Sequence, residues 1–162
     1  MEAKPVDLGG GTWRHPRWAP LVWPQIFLER GAVDPDVTER RLAEAGWPVA
    51  WRDGIYAYHH YHAGCHELLV VLGGQATVLL GGPGGVSVTL TSGDAVLLPA
   101  GTGHARVDET AHFLVAGAYP RSVRVDLQRA APGPALQAQI AAVPRPTADP
   151  AGAGGAIARH WR

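Results

Sequence analysis

Between Trp51 and Tyr119 the chain alternates short apolar, β-branched runs with glycine turns. The runs cover residues 54–62, 67–73, 75–81, 86–90, 95–98, 104–107 and 112–119, and the turns include Gly81-Gly82-Pro83-Gly84-Gly85 and Ser92-Gly93-Asp94. Strands this short and numerous predict an all-β sandwich or barrel. Several runs, ELLVVL and AVLLP among them, are apolar at consecutive positions rather than at every second one. Side chains on a strand alternate between faces, so these strands must be covered on both. Two short helices cannot cover that much outer surface, and the pattern therefore predicts a symmetric homodimer paired through one sheet or an exchanged arm.

Outside this region the patterning is sparser. Residues 1–20 are rich in Gly, Pro and Trp without a period and read as an N-terminal arm, with Trp13, Trp18 and Trp23 covering either a neighbouring copy or the chain's own barrel. Gln25 to Arg30 reads as a first strand. Asp34 offers an N-cap, Pro35 a first helical position and Gly46 a terminating glycine with Pro48 beyond, which predicts a helix over 35–45. Leu136, Ile140 and Val143 fall at i, i+4 and i+7, predicting a second helix over 134–143 that ends before Pro144. The Ala, Gly and Pro-rich remainder reads as a mobile tail or partner-bound arm. The resulting organisation is an arm over 1–20, one barrel domain over 21–130, and a helix with a flexible tail over 131–162.

The candidate chemistry lies in two of the strand segments. His60 and His62 stand two apart in GIYAYHHYHAGCHELLVVLGG, so on a strand they point the same way. Glu67 follows after a turn containing Gly64 that can bring the next strand back alongside, and His104 joins from GDAVLLPAGTGH, far along the chain. Three neutral imidazoles and one carboxylate suit one divalent transition metal, Fe, Mn, Ni, Zn or Cu. A thiolate site is excluded, because Cys65 is the single cysteine. Four ligands leave one or two positions open for water or substrate.

The glycines and prolines around these residues carry a family resemblance. Gly54, His60, His62, Glu67 and Gly74 stand at the spacing of the first motif of the cupin superfamily, and Gly93, Pro99, Gly101 and His104 at the spacing of the second, with Asp108 where the second motif usually ends in Asn. Asp and Asn share turn preferences, so that departure touches only turn chemistry. The resemblance spans about residues 20 to 130. It implies a double-stranded β-helix, or jelly-roll barrel, with one or two short flanking helices and with His60, His62, Glu67 and His104 facing inward on a divalent metal. The run HYHAGCHELLVVLGG with LLPAGTGH and FLVAGAYP is also similar to a group of small bacterial single-domain cupins that carry no assigned reaction.

His59 has the opposite parity from His60 and should point away from the metal. His66 adjoins Glu67 in a turn, where it can support a ligand, line the pocket mouth or stay on the surface. Cys65 beside two histidines suggests a Cys-His nucleophile, but no orienting third group is visible and a buried inert thiol is the simpler reading. Tyr56 and Tyr58 share the parity of His60 and should face the interior. Arg106 shares that of His104, and an inward guanidinium would favour a carboxylate-bearing ligand. His15, His112 and His160 read as incidental.

Composition narrows the function. Fourteen basic and fourteen acidic residues cancel, leaving no electrostatic footprint for nucleic acid or an anionic membrane. No apolar stretch is long enough to span a bilayer and no leader segment is visible, so the expectation is a cytoplasmic protein with a small-molecule substrate or ligand. Two functional classes follow: a metal-dependent enzyme of oxygenase or isomerase/lyase type acting on a small metabolite, or a non-catalytic binding or sensing domain with a structural metal. The fold supports both, so the site must decide.

Overall fold

The computed structural model describes residues 2–152 and 155–162 of the 162-residue chain. Its strands are β1 (Lys4–Pro5), β2 (Leu21–Trp23), β3 (Val49–Asp53), β4 (Glu67–Gly73), β5 (Gln75–Leu80), β6 (Val86–Thr91), β7 (Ala95–Leu98), β8 (His104–Glu109) and β9 (Leu114–Ala118). Its helices are α1 (Pro35–Glu44), α2 (Pro134–Ala142) and α3 (Ala156–His160). All pairings are antiparallel, in a six-stranded sheet ordered β1-β2-β7-β4-β9-β3 and a three-stranded sheet ordered β6-β5-β8. This is the all-β jelly-roll architecture with short flanking helices.

The alternation in β4 explains both hydrophobic layers. Leu69 and Val71 point between the sheets and meet Val78, Leu80 and Leu90 of the smaller sheet. Leu68, Val70 and Leu72 point the other way. That outer face is covered by the chain itself: Trp18, Trp23 and Phe27 from the N-terminal region, Leu42 of α1, Trp47, and Ile157 and Trp161 at the C-terminal end. The expectation that a second copy must supply this cover is corrected, because the chain's own residues supply it. Trp13 is also buried within the chain, against Tyr61 and Ile140.

Helix α1 follows the sequence signals. The Asp34 carboxylate accepts from the Asp36 and Val37 amides at 3.0 and 3.1 Å, with Pro35 at the first helical position, and Leu42 faces the core. Helix α2 ends before Pro144 as expected and seats Ile140 on the β7–β8 connection. There Gly101 has φ +83°, and a Cβ on it would stand 2.8 Å from the Ile140 side chain.

Three expected elements differ. No strand runs over 54–62; the strand is β3, at 49–53, and His60 and Tyr61 make only isolated bridges to His104 and Gln128. Trp51 decides the shift, because it pairs opposite Gly117 of β9 and lays its indole where a Cβ would come within 2.1 Å. Residues 25–30 form a turn, with β2 preceding them, since Gln25 takes φ 52° to hand its amide to the Asp94 carboxylate at 2.8 Å. The segment expected to be a mobile tail carries α3. Ile157 and Trp161 lie four apart on one face and are buried in the outer cluster, a pattern too short to register as a period. Residues 153 and 154 of that segment lie outside the described residues. No helix among the described residues is long and apolar enough to cross a membrane.

Candidate metal centre

Glu67 opens β4 on the face shared with Leu69, and His104 opens β8 opposite Leu80, so both point between the sheets. His60 and His62 keep their common direction without a strand, because each is clamped to the β7–β8 connection. The His60 and His104 backbones exchange hydrogen bonds at 3.2 and 2.9 Å, and the Gly101 amide donates to the His62 carbonyl at 2.8 Å.

His62, Glu67 and His104, all buried, bring one donor atom each to within 4.8 Å of one another. His62 Nε2 lies 3.0 Å from Glu67 Oε2, and His104 Nε2 lies 3.0 Å from Glu67 Oε1. His60 lines the same cavity, with its ring centroid 3.9 Å from that of His104 and 6.2 Å from that of His62, but it stands outside this group of three. Three of the four expected ligands thus converge and the fourth stands beside them.

The Nδ1 atoms of all three histidines face backbone carbonyls: His60 that of Tyr58 at 3.0 Å, His104 that of Thr102 at 3.0 Å, and His62 that of Asp126. A carbonyl can only accept, so each Nδ1 carries a hydrogen; a neutral ring then has its lone pair on Nε2, and a protonated His62 donates from Nε2 to Glu67 Oε2 at 3.0 Å. This is the second-layer arrangement that orients metal-binding imidazoles. Glu67 is held as firmly. The Tyr119 hydroxyl donates to Oε2 at 2.5 Å and accepts from Trp51 Nε1 at 3.0 Å.

The electrostatics fit a cation. Burial pushes the Glu67 carboxyl up, yet the imidazoles of His104 and His62 against its oxygens outweigh burial and hold it well below the usual carboxylate range. Burial pulls His62 down, and Glu67 together with the Asp126 carbonyl overrides it and raises the ring. His60 is pulled down to about 3 by burial and by His104 beside it. Glu67 Oε1 is buried and makes no hydrogen bond among the described residues, with His104 Nε2 3.0 Å away. A buried carboxylate oxygen without a partner, facing a lone-pair nitrogen, is stabilised by a cation between them. The donor set fits a divalent transition metal bound to nitrogen and oxygen.

Above these residues opens a cavity of about 570 Å³. Arg106 lines it, as its parity with His104 predicts. Tyr56 lines the cavity as expected but at its open side, 54% exposed, while Tyr58 stacks on it beside His60 outside the lining, since the strand that would have turned both rings inward is absent. His59 points away, edge-on to Trp13. His66 is not at the surface. Its Nε2 donates to the Pro144 carbonyl and its Nδ1 accepts from the Ala100 amide, both at 2.9 Å, pinning the end of α2 to the β7–β8 connection. Cys65 is buried and its thiol is pushed up to about 12, chiefly by burial, which removes the nucleophile reading. Asp108 uses its carboxylate locally, on the Glu109 amide.

Trp51, Tyr119 and Asp126 escape the sequence reading. Tyr119 had a faint signal, since it shares the parity of Val115, which faces the inner cluster. Asp126 had none. It lies in an irregular stretch, where its carboxylate accepts from the Ala63 and Gly64 amides at 2.9 Å and holds its own carbonyl against His62.

Residues 52–117 match the family described as Cupin domain. Over 130 residues the chain is 35% identical to a Bacillus subtilis (strain 168) protein described as uncharacterized protein YjlB, covering 79% of each. Among solved structures it is similar to RmlC of Streptococcus suis in complex with dTDP-D-xylose, at 13% identity and TM-score 0.36 over 85% of this chain and 73% of that one. It is also similar to a variant of Bacillus subtilis oxalate decarboxylase, at 13% identity and TM-score 0.37 over 78% of this chain, but it spans only 29% of the decarboxylase.

Proposed function

The chain belongs to the cupin superfamily, and from that premise we propose that it is a metal-binding single-domain cupin in which His62, Glu67 and His104 hold one divalent transition metal and His60 turns in as the fourth ligand. Fe, Mn, Ni, Zn and Cu all suit such donors. The observation that carries this reading is the orphaned Glu67 Oε1, buried between imidazoles whose Nδ1 atoms are already committed. When bound, the metal supplies Lewis acidity and a position open to substrate.

The chain's own groups do the rest. Trp51 and Tyr119 fix the Glu67 carboxylate, leaving Oε1 free to face the histidines. Ile55 and Leu69 line the cavity with apolar surface, which limits water and strengthens polar contacts there. The reading is a metal-dependent enzyme, of oxygenase or isomerase/lyase type, acting on a metabolite small enough for the cavity. We place it in the cytoplasm, where a lone buried thiol stays reduced.

One observation favours the alternative, a non-catalytic binding or sensing domain. Burial and the Glu67 charge push the Tyr119 phenol well above its ordinary range, so its proton is committed to Glu67, and Glu67 is itself a ligand. Neither is then free to act as an acid or base. Elemental analysis of the purified protein, combined with oxygen uptake and product analysis against a panel of small hydroxy and keto acids, separates the two. An enzyme shows metal-dependent turnover that Glu67→Gln abolishes, whereas binding without turnover across the panel establishes the alternative.

A further inference from the structure

Residues 125–128 belong to neither sheet, yet they touch two parts of the site at once. Val125 and Leu127 line the cavity and are 44% and 45% exposed. The alternating residues, Asp126 and Gln128, make their hydrogen bonds to the loop that carries His62. Gln128 and Tyr61 exchange backbone hydrogen bonds at 2.9 and 3.0 Å, and the Asp126 carboxylate accepts from the Ala63 and Gly64 amides and from the Gln128 side-chain amide. The Asp126 carbonyl accepts from His62 Nδ1. There is little slack in this junction, because a Cβ on Gly64 would stand 3.3 Å from Asp126 Oδ1.

We infer that this segment is a strap coupling the cavity wall to the metal, with Asp126 as its positioning residue. A metal held by His62 orders Val125 and Leu127, and a ligand packed on those two side chains steadies His62. The inference rests on the metal reading above and adds how that site is regulated. A cation on Nε2 fixes the imidazole and polarises it, which strengthens the bond from Nδ1–H to the carbonyl. That carbonyl is one peptide link from Leu127. No displacement is required, since ordering by one ligand lowers the entropy cost of the next, and the coupling acts equally in both directions.

Two measurements test the strap. The first is Co²⁺ affinity by chelator competition, with the visible d–d spectrum reporting the geometry at the ion. Asp126→Asn weakens Co²⁺ by about 10- to 100-fold and alters the spectrum. Asp94→Asn is the control, because the Asp94 carboxylate also clamps backbone amides, those of Gln25 and Thr91 at 2.8 Å, but touches none of the donors. It lowers the melting temperature and leaves Co²⁺ affinity and spectrum unchanged. The second measurement is the mobility of a nitroxide on Leu127→Cys, read by electron paramagnetic resonance before and after Zn²⁺ loading; Cys65 is buried and takes no label. Zn²⁺ slows the label in the otherwise wild-type chain and does not slow it when Asp126→Asn is added, whereas a direct effect of the ion on the label would persist. Protein that takes up neither metal sinks the metal reading and this inference together. Protein that loads metal with equal affinity in wild type and Asp126→Asn, that loses affinity as much in Asp94→Asn, or whose label responds to Zn²⁺ alike in both backgrounds or in neither, sinks this inference alone.

Discussion

Each imidazole at the centre is aimed by a backbone carbonyl at its far nitrogen, and Glu67 is aimed by a phenol. At the scale of single residues the site is therefore built as much by its supporting groups as by its donors. Tyr119→Phe keeps the ring and the packing but removes the hydrogen bond to Glu67 Oε2. Loss of a comparable supporting group typically weakens metal binding by about 10- to 100-fold, and competition with a chromogenic chelator should show that loss with an unchanged circular dichroism spectrum. Unchanged affinity would mean that the phenol does not orient the carboxylate. Cys65 gives a second prediction of the same kind. Buried, and with a thiol pushed up to about 12, it should remain unlabelled by a thiol reagent in native protein at pH 8 and react once the protein is unfolded. Rapid stoichiometric labelling of the native state would revive the nucleophile reading.

At the scale of elements, the β7–β8 connection organises the site, and His66 fastens it to the end of α2. His66 is pulled down to about 4 by burial and, as its two hydrogen bonds require, is neutral in the folded state. An unfolded histidine titrates near 6.5, so between pH 6.5 and pH 4 the unfolded chain binds a proton that the folded chain refuses. Stability is present above that window and falls as pH drops through it, by up to about 1.4 kcal/mol per pH unit for each such proton. His15, also pulled down to about 4 by burial, adds to the slope. Denaturant melts of His66→Gln should show a shallower fall over this window than wild type, and an equal slope would contradict the role given to His66. The sequence pointed to His60, His62, Glu67 and His104 and to the connection that presents them, because glycine, proline and histidine at fixed spacing leave few geometries, and three of the four converge. It misplaced the strand beside them. Both Val49–Asp53 and the 54–62 run have strand-forming residues, and the choice is made by a long-range fit, the Trp51 indole over Gly117, that no local pattern records. Asp126 stayed hidden for the same reason, since its contacts to Ala63, Gly64 and His62 reach across more than sixty residues.

At the scale of the molecule, the six-stranded sheet is closed from outside by the chain's two ends. Trp18 and Trp161 stack with centroids 5.1 Å apart, and the Trp161 indole donates to the Ala19 carbonyl at 2.8 Å. Apolar strands that suggested a partner are thereby covered within one copy. Light scattering at micromolar concentration should accordingly give a monomer, and removal of residues 156–162 should uncover the sheet and drive self-association with a lower melting temperature. A full-length dimer that the truncation leaves intact would contradict this account of the outer layer. The central claim is that three buried donors from two segments of the chain, His62 with Glu67 and the distant His104, hold one metal. Its most direct test is equilibrium uptake of Mn²⁺ by metal-stripped protein, wild type against Glu67→Gln. The account predicts one equivalent bound by wild type and at least about 100-fold weaker binding when the charged oxygens are lost. Equal uptake by the two proteins, or none by wild type with any of the five candidate metals, would contradict it.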